Sequence, residues 1–292
     1  MRFAITACDR YARVFDEFLA AGWVPVKLFS SHPVNRLSAN DRVISLARHH
    51  GCPVQLTRMG AADLDDLAQR GCDALIVASY DWRIPRWQDK LQYAVNFHPS
   101  PLPLARGPYP LPRAILERHT HWGMSCHKIE HEFDSGDVLC IEEFGLHEEE
   151  SHETLNLKLQ MAGGRLARKL APAFVERWNA AQPQGAGEYW PAISEAERTL
   201  NFQGKVAEVL HVLRAFGVLE CYGRLNGQRI YVRQAYGWPE AHNLAPETVV
   251  HVNGSDVVLA VQDGFVALTD WGLLPPAPAE QLLPQLSNSA MP

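Results

Sequence analysis

The stretch that decides the expected fold is residues 95–110, which read VNFHPSPLPLARGPYP in this chain of 292 residues. Residues Ala94–His98 have the pattern of a β-strand, and five prolines and one glycine follow it. Because proline fixes φ and lacks a backbone donor, the strand must end here and the loop that follows must be stiff. The side chains of Asn96 and His98 point to the same side of an extended chain. An amide and an imidazole that emerge together at a strand end are a candidate catalytic pair.

Upstream of this stretch, short apolar runs alternate with amphipathic segments. The predicted strands are 2–8, Val24–Phe29, Pro53–Leu56, Ala74–Ser79 and Ala94–His98, and the predicted helices are Tyr11–Ala21, Asp41–His50 and Ala61–Arg70. Such alternation predicts right-handed βαβ units and a parallel sheet. Ligands bind outside the carboxyl ends of the strands in such sheets. Asn96 and His98 are therefore expected at the ligand-binding edge.

Downstream, the pattern changes to one that predicts paired strands and then a small β-rich region. The predicted elements are a helix at Pro112–His119, strands at Ser125–Glu132 and Val138–Phe144 joined by the turn Phe133–Asp137, a long helix at about Glu153–Ala180 and a helix at Val206–Phe216. Short apolar runs then follow, separated by Asn226-Gly227, Asn253-Gly254 and Asp263-Gly264. Asn-Gly and Asp-Gly pairs between apolar runs are strong hairpin signals.

We therefore expect an α/β fold with two domains. Residues 1–180 are predicted to form a catalytic domain with a Rossmann-like, mostly parallel sheet, and residues 181–199 have the composition of a linker. A small antiparallel, β-barrel-like domain is predicted at 200–275. The tail at 276–292 is rich in Pro, Ala and Ser and is expected to be loose.

Composition narrows the class of protein. The net charge of −6 argues against a strongly basic nucleic-acid-binding protein. The chain lacks a run of about 18 apolar residues, and its apolar amino terminus is too short for a signal peptide. The six cysteines are scattered without C-x-x-C spacing, which is typical of reduced thiols. These features predict a cytoplasmic protein without a membrane segment.

Three common site types fit the sequence poorly. The first predicted strand is followed by Cys8–Ala12, which lacks the glycines of a dinucleotide site, and there is no P-loop motif. Four histidines cluster within 13 residues (His119, His121, His127 and His131). Their spacing matches no standard zinc pattern, so surface histidines are the favoured interpretation. A Ser-His-Asp hydrolase would need G-x-S-x-G, which is absent although Ser100 is close to His98.

The remaining constellation is Asn96, His98 and Asp134. An imidazole can act as a general acid or base near neutral pH, and a neighbouring carboxylate can set its tautomer and its pKa. An asparagine amide can donate to an oxygen on which negative charge develops. Together these groups suit attack on an acyl carbon, although the same residue types are also ordinary in loops.

Two separated motifs carry a resemblance to a known family. Asn96–Pro103 with Arg106-Gly107, and then Phe133–Asp137, resemble the signature of the 10-formyltetrahydrofolate-dependent formyltransferases. Glu195–Phe202 resembles the start of the carboxyl-terminal domain in the methionyl-tRNA and amino-sugar branches of that family. The resemblance implies formyl transfer from 10-formyltetrahydrofolate without a metal.

The resemblance also implies roles for individual residues. Asn96, His98 and Asp134 fall on the catalytic positions of the family, and His127 falls on a histidine that supports the aspartate. Folate contacts are implied for Ser79, Tyr80, Trp82, Ile84, Ser100 and Asp137. Pro101 stands where many members have leucine, a variation expected to be tolerated in a loop already stiffened by proline.

The acceptor is the open question. We expect a primary amine or hydroxylamine on a small molecule, such as a nucleotide-linked amino sugar or an amino-acid derivative, and a homodimer is compatible with the sequence. Methionyl-tRNA is the alternative acceptor, but the loop at 30–40 holds one arginine where that branch has a long basic insertion. Hydrolysis of formyltetrahydrofolate is a second alternative, with water in place of the amine.

Overall fold

The computed structural model describes residues 1–33 and 38–275. The polar loop at 30–40 lies partly outside the described residues, and the tail at 276–292 lies outside them entirely. The chain divides into two compact units after Ala192. Within the described residues, no helix combines the length and apolar character needed to span a membrane.

The first unit contains a seven-stranded sheet and six α-helices among its described residues. The strands are β1 (Arg2–Thr6), β2 (Val24–Phe29), β3 (Val54–Gln55), β4 (Ala74–Val77), β5 (Tyr93–His98), β6 (His121–Lys128) and β7 (Val138–Gly145). The helices are α1 (Ala12–Ala20), α2 (Asp41–His49), α3 (Ala61–Gln69), α4 (Leu111–Leu116), α5 (His152–Leu170) and α6 (Phe174–Asn179). The strand order is β3-β2-β1-β4-β5-β6-β7.

The sheet is parallel from β3 to β5, β6 pairs antiparallel with β5, and β7 pairs antiparallel with β6. All four residues of β4 are buried, as expected for a strand covered on both faces. The strand order reverses between β1 and β4, which is where a doubly wound sheet opens a crevice at its carboxyl edge. The predicted Rossmann-like, mostly parallel sheet is therefore confirmed.

The apolar stripe of α1 anchors one face of this sheet. Phe15 and Phe18 are fully buried, and their rings lie 5.8 Å and 5.7 Å from the ring of Phe3 in β1. Because Phe15 and Phe18 are three residues apart, they share one side of the helix. The helical spacing in the sequence thus identifies the buried face.

Two predicted elements differ most in extent from the observed ones. The helix predicted over Glu153–Ala180 is wrong as a single helix, because α5 ends at Leu170 and a 3₁₀ turn containing Pro172 separates it from α6. Proline lacks the backbone donor that a continuous helix needs. The strand predicted over Ser125–Glu132 is shifted, since β6 occupies His121–Lys128 and the chain then leaves the sheet.

The second unit is an antiparallel sheet with one α-helix among its described residues. Helix α7 (Val206–Phe216) precedes strands β8 (Cys221–Leu225), β9 (Gln228–Pro239), β10 (Val249–Asn253), β11 (Asp256–Val261) and β12 (Gly264–Leu273). The order is β10-β11-β12-β9-β8. Asn226 and Gly227 form the tight turn between β8 and β9, with φ of 49° and 79°, which explains why this Asn-Gly pair is a hairpin signal. The predicted antiparallel carboxyl-terminal domain is confirmed.

Candidate active site

Strand register brings the first polar side chains of the site together. Asn96 in β5 pairs with Val77 at the end of β4 on one side and with His127 in β6 on the other. His98, the last residue of β5, is 4% exposed, and His127 is 2% exposed. The carboxyl edge of the sheet therefore carries an amide and two buried imidazoles.

Asp134 reaches this edge from the turn that follows β6. Its Oδ1 accepts a hydrogen bond from Asn96 Nδ2 at 3.1 Å and lies 3.4 Å from both His98 Nδ1 and His127 Nε2. Its Oδ2 accepts a hydrogen bond from the Gly107 backbone N–H at 2.9 Å. The predicted catalytic residues Asn96 and His98 and the predicted supporting histidine His127 thus all meet at the carboxylate of Asp134.

The backbone around Asp134 is unusual. Asp134 has φ of 55°, a left-handed conformation that few residues other than glycine adopt. Two residues later, a Cβ on Gly136 would lie 2.1 Å from the carbonyl oxygen of Lys128. This turn therefore requires glycine at 136 for a close approach of two backbone segments.

The protonated nitrogens of both histidines are fixed by carbonyl groups. His98 Nε2 lies 2.8 Å from the Ala105 carbonyl oxygen, and His127 Nδ1 lies 2.7 Å from that of Lys128. A carbonyl oxygen only accepts hydrogen bonds, so each of these nitrogens carries the proton. In the neutral imidazoles, His98 Nδ1 and His127 Nε2 are therefore lone-pair nitrogens that face Asp134. The tautomer of His98 is set by Ala105, whereas sequence reasoning attributes it to the aspartate.

The amide nitrogen of Asn96 lies close to two acceptors. Its Nδ2 lies 3.1 Å from both His127 Nε2 and Asp134 Oδ1. Because those two acceptors are only 3.4 Å apart, one N–H can point between them. The second N–H, which diverges widely from the first, is then available to a ligand. This geometry suits the role of a donor to an oxyanion.

Burial and the local charges separate the pKa values of His98 and Asp134. Burial lowers the pKa of His98 below its usual value of 6.5, although the Asp134 carboxylate acts in the opposite direction. Burial would raise the pKa of Asp134, but hydrogen bonding and charge from the histidines, together with the Gly107 N–H, lower it to about 2. At neutral pH the site therefore contains a neutral imidazole beside an ionised carboxylate.

A pocket of about 430 Å³ opens onto these groups. Of the residues implied as folate contacts, Ser79, Tyr80, Trp82 and Ile84 line it, as do Asn96, His98, His127 and Asp134. The Tyr80 and Trp82 rings lie 5.1 Å apart, and the Met59 backbone N–H donates to the Tyr80 hydroxyl at 2.6 Å. The pocket thus combines an aromatic wall with a cluster of convergent polar groups, as ligand sites generally do.

Two other implied folate contacts lie elsewhere. Ser100 is fully buried, and its hydroxyl donates to the Leu104 carbonyl at 2.7 Å. Its own carbonyl accepts from the Ser125 hydroxyl, which tethers the proline-rich loop to β6. Asp137 forms an ion pair with Lys128 at 3.0 Å. Both residues shape the segments that carry the site, and the structure does not place either among the residues that line the pocket.

Several lining or supporting groups escape sequence reasoning. Arg10, Tyr11, Tyr109 and Tyr189 also line the pocket. Gln184, in the stretch predicted as a linker, donates through Nε2 to the backbone carbonyls of Asp134 at 2.8 Å and Gly136 at 2.6 Å. The sequence does carry a signal for Arg10, which is a cation shortly after the first strand. It carries no signal for Gln184, because the stretch around that residue has the composition of an ordinary linker.

The histidine cluster in the sequence does not form a cluster in space. His127 is buried in the site, whereas the ring of His119 packs 5.3 Å from Trp122 and 5.8 Å from Trp190. His131 lies at the rim of the pocket, and His121 is exposed. Among the residues that the structure describes, no three potential ligands lie together in a metal-binding arrangement.

Comparison with known proteins identifies the first unit. Residues 31–169 match the family model described as formyl transferase. These residues therefore carry a formyl transferase domain. The chain is 24% identical over 213 residues to a methionyl-tRNA formyltransferase of Streptococcus pneumoniae, a match that covers 72% of the chain and 68% of the relative.

Solved structures show the same fold. HypX from Aquifex aeolicus in complex with tetrahydrofolic acid gives a TM-score of 0.66 at 17% identity over 93% of this chain, which spans 44% of HypX. The N-formyltransferase from Helicobacter canadensis, in complex with folinic acid and dTDP-3-aminofucose, gives a TM-score of 0.63 at 15% identity. That match covers 93% of this chain and 99% of the Helicobacter chain.

The close approach at Gly136 gives a stability prediction. Gly136→Ala places a methyl group against the Lys128 carbonyl and should lower the free energy of unfolding by about 2 kcal/mol, as forced overpacking does. Urea denaturation measures the change. Gly145→Ala is the matched control, because a Cβ there meets no atom within 4 Å, and it should change stability by less than about 0.5 kcal/mol. Equal stability of the two variants would contradict the close approach.

The low pKa of Asp134 gives a second prediction. A carboxyl with a pKa of about 2 in the folded protein and 3.8 as its ordinary value stabilises the fold above pH 4 by about 2 kcal/mol. This contribution is lost as the pH falls through 2. The stability advantage of the native chain over Asp134→Asn, measured by urea denaturation, should therefore shrink between pH 5 and pH 2. Asp89→Asn, at an exposed carboxylate, is the control, and an advantage that is constant with pH would contradict the assignment.

Proposed function

We propose that this chain is a formyltransferase that moves the formyl group of 10-formyltetrahydrofolate to a primary amine or hydroxylamine of a small molecule. The observation that carries the proposal is the meeting of Asn96, His98 and Asp134 in one pocket that also has an aromatic wall. The amide, the neutral base and the carboxylate are the groups that acyl transfer requires. The folate ligands named for the HypX and Helicobacter structures support the choice of donor.

The pocket fits a flat heteroaromatic donor. Its wall includes Val77, Tyr80, Trp82, Ile84 and Ile129, and its volume of about 430 Å³ lies in the ordinary range of ligand sites. Tyr80 and Ile84 pack on the buried core that contains Leu64 and Leu67 of α3, so the wall is held in place. The bound donor supplies the formyl carbon and a nitrogen leaving group.

His98 acts as the base in this proposal. Its Nε2 proton is committed to the Ala105 carbonyl, so Nδ1 carries the free lone pair and can take a proton from the acceptor amine. The imidazolium that results lies 3.4 Å from the ionised Asp134 Oδ1. A carboxylate at this distance favours the charged imidazole and so assists the proton transfer. The same proton then passes to the donor nitrogen as its bond to the formyl carbon breaks.

Asn96 acts as the oxyanion donor. Its unshared N–H can donate to the oxygen that gains negative charge when the amine attacks. Asp134 itself is held on both sides, by Asn96 at Oδ1 and by the Gly107 N–H at Oδ2. His127, which accepts from Asn96, orients the amide without a part in the proton transfer.

A small-molecule acceptor is favoured over tRNA by charge. The chain has a net charge of −6, and the loop at 30–40 contains one arginine. Phosphate contacts dominate nucleic-acid affinity, so this sequence is poorly equipped for tRNA. The acceptor complex named for the Helicobacter structure contains a nucleotide-linked amino sugar. The similarity to methionyl-tRNA formyltransferases makes methionyl-tRNA the second candidate acceptor.

One panel of acceptors distinguishes these candidates. The purified chain is incubated with 10-formyltetrahydrofolate and, separately, with nucleotide-linked amino sugars, ornithine derivatives, methionyl-tRNA or no amine. Formylated small molecules support the proposal, and formylated methionyl-tRNA alone would replace it with the second candidate. Free formate at full rate without an amine would instead indicate a hydrolase.

Substitution of the three central residues tests the mechanism. Asn96→Ala, His98→Ala and Asp134→Ala should each reduce kcat on the order of 10²–10³-fold, because each removes a group that acts on developing charge or on the proton. Circular dichroism checks that each variant is folded. His121→Ala, at an exposed position on β6, should retain native turnover. Near-native kcat in a folded variant would remove that residue from the mechanism.

The pH dependence of kcat/KM tests the role of His98. The base must be neutral, and burial holds its pKa below 6.5, so activity should be high at pH 7 and fall on an acidic limb below 6.5. The Asp134 carboxylate raises the pKa of His98, so the residual activity of Asp134→Asn should show this limb at a still lower pH. A limb above pH 7, or one unaffected by the substitution, would contradict the assignment.

A further inference from the structure

Arg10 occupies the crevice at the carboxyl end of β1. It lies in the 3₁₀ turn Asp9–Tyr11, directly after the strand, and lines the same pocket as Asn96 and His98. This is the place where the strand order reverses between β1 and β4. A dinucleotide-binding protein places backbone N–H groups of a glycine-rich loop there, to hold a pyrophosphate. Here the same place is taken by a guanidinium.

The guanidinium has no counter-charge within the described residues. Its partners are two tyrosines and a cysteine: it lies 5.6 Å and 5.8 Å from the ring centroids of Tyr11 and Tyr109, and the Cys8 and Tyr109 side chains are its hydrogen-bond partners. The adjacent Asp9 carboxylate is used elsewhere, since it accepts from the backbone N–H groups of Arg42 at 3.2 Å and Val43 at 3.0 Å. Arg10 Nε is buried without a hydrogen-bond partner in the described part of the chain.

The walls beside Arg10 stay uncharged at neutral pH. Burial raises the pKa of both Tyr11 and Tyr109, so their hydroxyls remain protonated. The Tyr109 hydroxyl lies 2.6 Å from His152 Nε2, and burial lowers the pKa of His152 to about 4. Arg10 is therefore an isolated cation in a neutral, aromatic part of the pocket. Burying a charge without a partner is costly, and an anion there would remove that cost.

Arg10 lies on the opposite side of the sheet edge from the proposed donor wall. Crossovers between parallel strands are right-handed, so α1, which joins β1 to β2, and α3, which joins β3 to β4, cover opposite faces of the sheet. Tyr80 and Ile84 pack on the α3 side. Tyr109 is bonded to His152 of α5, which packs with α1. Asn96, His98 and Asp134 lie between the α3 side and the α1 side of the sheet edge.

We propose that Arg10 binds a carboxylate or phosphate group on the acceptor, so that the acceptor of this enzyme is an anionic amine. The inference rests on the proposed function, because it assigns to the acceptor the side of the pocket that the donor leaves free. A guanidinium presents parallel N–H groups that match either oxyanion in a bidentate pair. Holding the anion at Arg10 orients the amine toward His98 and fixes which amine reacts.

Matched acceptors test the proposal through specificity. Two pairs differ only by the anionic group: ornithine with putrescine for a carboxylate, and glucosamine 1-phosphate with glucosamine for a phosphate. The native enzyme should favour the anionic member of at least one pair, and Arg10→Gln should lower kcat/KM for that member on the order of 10²-fold. The kcat/KM of Arg10→Gln for the neutral member of the pair should equal that of the native enzyme. Arg10→Lys keeps the positive charge but lacks the parallel N–H groups of the guanidinium, so it should restore part of the lost kcat/KM.

Direct binding gives a readout that does not depend on turnover. The Arg10 Nε–H resonance of the ¹⁵N-arginine-labelled chain, with 5-formyltetrahydrofolate present, is followed during titration with inorganic phosphate and, separately, acetate. A saturable shift with one of these anions supports the proposal and identifies the source of the charge. No shift with either anion would overturn it. Arg10→Gln identifies the resonance by its disappearance.

Arg83→Gln is the matched control. Arg83 lines the same pocket but is exposed, with its guanidinium 4.8 Å from the Phe133 ring. The Arg83→Gln variant should leave the preference for anionic over neutral acceptors unchanged. Equal losses for anionic and neutral acceptors in Arg10→Gln would overturn the proposal and indicate a packing role. If the native chain formylates none of the panel amines yet the Arg10 resonance shifts with an anion, the proposed function fails while the anion site stands.

Discussion

The structure of the site depends on one carboxylate. Asp134 Oδ1 accepts from the Asn96 amide and faces both imidazoles, while Oδ2 accepts from the Gly107 backbone N–H. These contacts join the end of β5, the strand β6, the proline-rich loop and the turn after β6. Because the carboxylate is ionised at all ordinary pH values, its hydrogen bonds from Asn96 and Gly107 are charge-assisted and therefore stronger than neutral hydrogen bonds. A neutral side chain at 134 would leave these segments without their common partner.

Backbone strain surrounds the same carboxylate. Ala105, Tyr109 and Asp134 all have left-handed φ angles, of 57°, 51° and 55°, which residues with a side chain rarely adopt. Each serves a contact of the site: Ala105 presents its carbonyl to His98, Tyr109 places its ring beside Arg10, and Asp134 turns its carboxylate inward. Strain of this kind persists where the surroundings fix the conformation, which here is the task of prolines and buried hydrogen bonds.

The local parts of this structure were predictable from sequence because they depend on short-range chemistry. The period of apolar residues identifies α1, β4 and α7, and the two-residue spacing of Asn96 and His98 places both on one edge. Residue chemistry made Asp134, 36 positions beyond His98, only a candidate partner, and the resemblance to a family singled it out. Hydrogen bonds that close over long separations, such as that of Gln184 to the Asp134 carbonyl, leave no trace in composition or period. The neutral surroundings of Arg10 likewise result from tertiary packing, which the sequence pattern does not reveal.

The pocket holds a carboxylate, Asp134, and a guanidinium, Arg10, in separate places. In the proposed mechanism, Asp134 faces a base whose protonated form it stabilises, so the positive charge that arises on His98 is compensated inside the site. The cation Arg10 stands apart from that pair in neutral, aromatic surroundings. If Arg10 were paired with Asp134, the carboxylate would lose its influence on His98 and the guanidinium its capacity for an external anion. In the proposed mechanism, separation of the two charges therefore lets one fixed pocket control both proton transfer and the choice of acceptor.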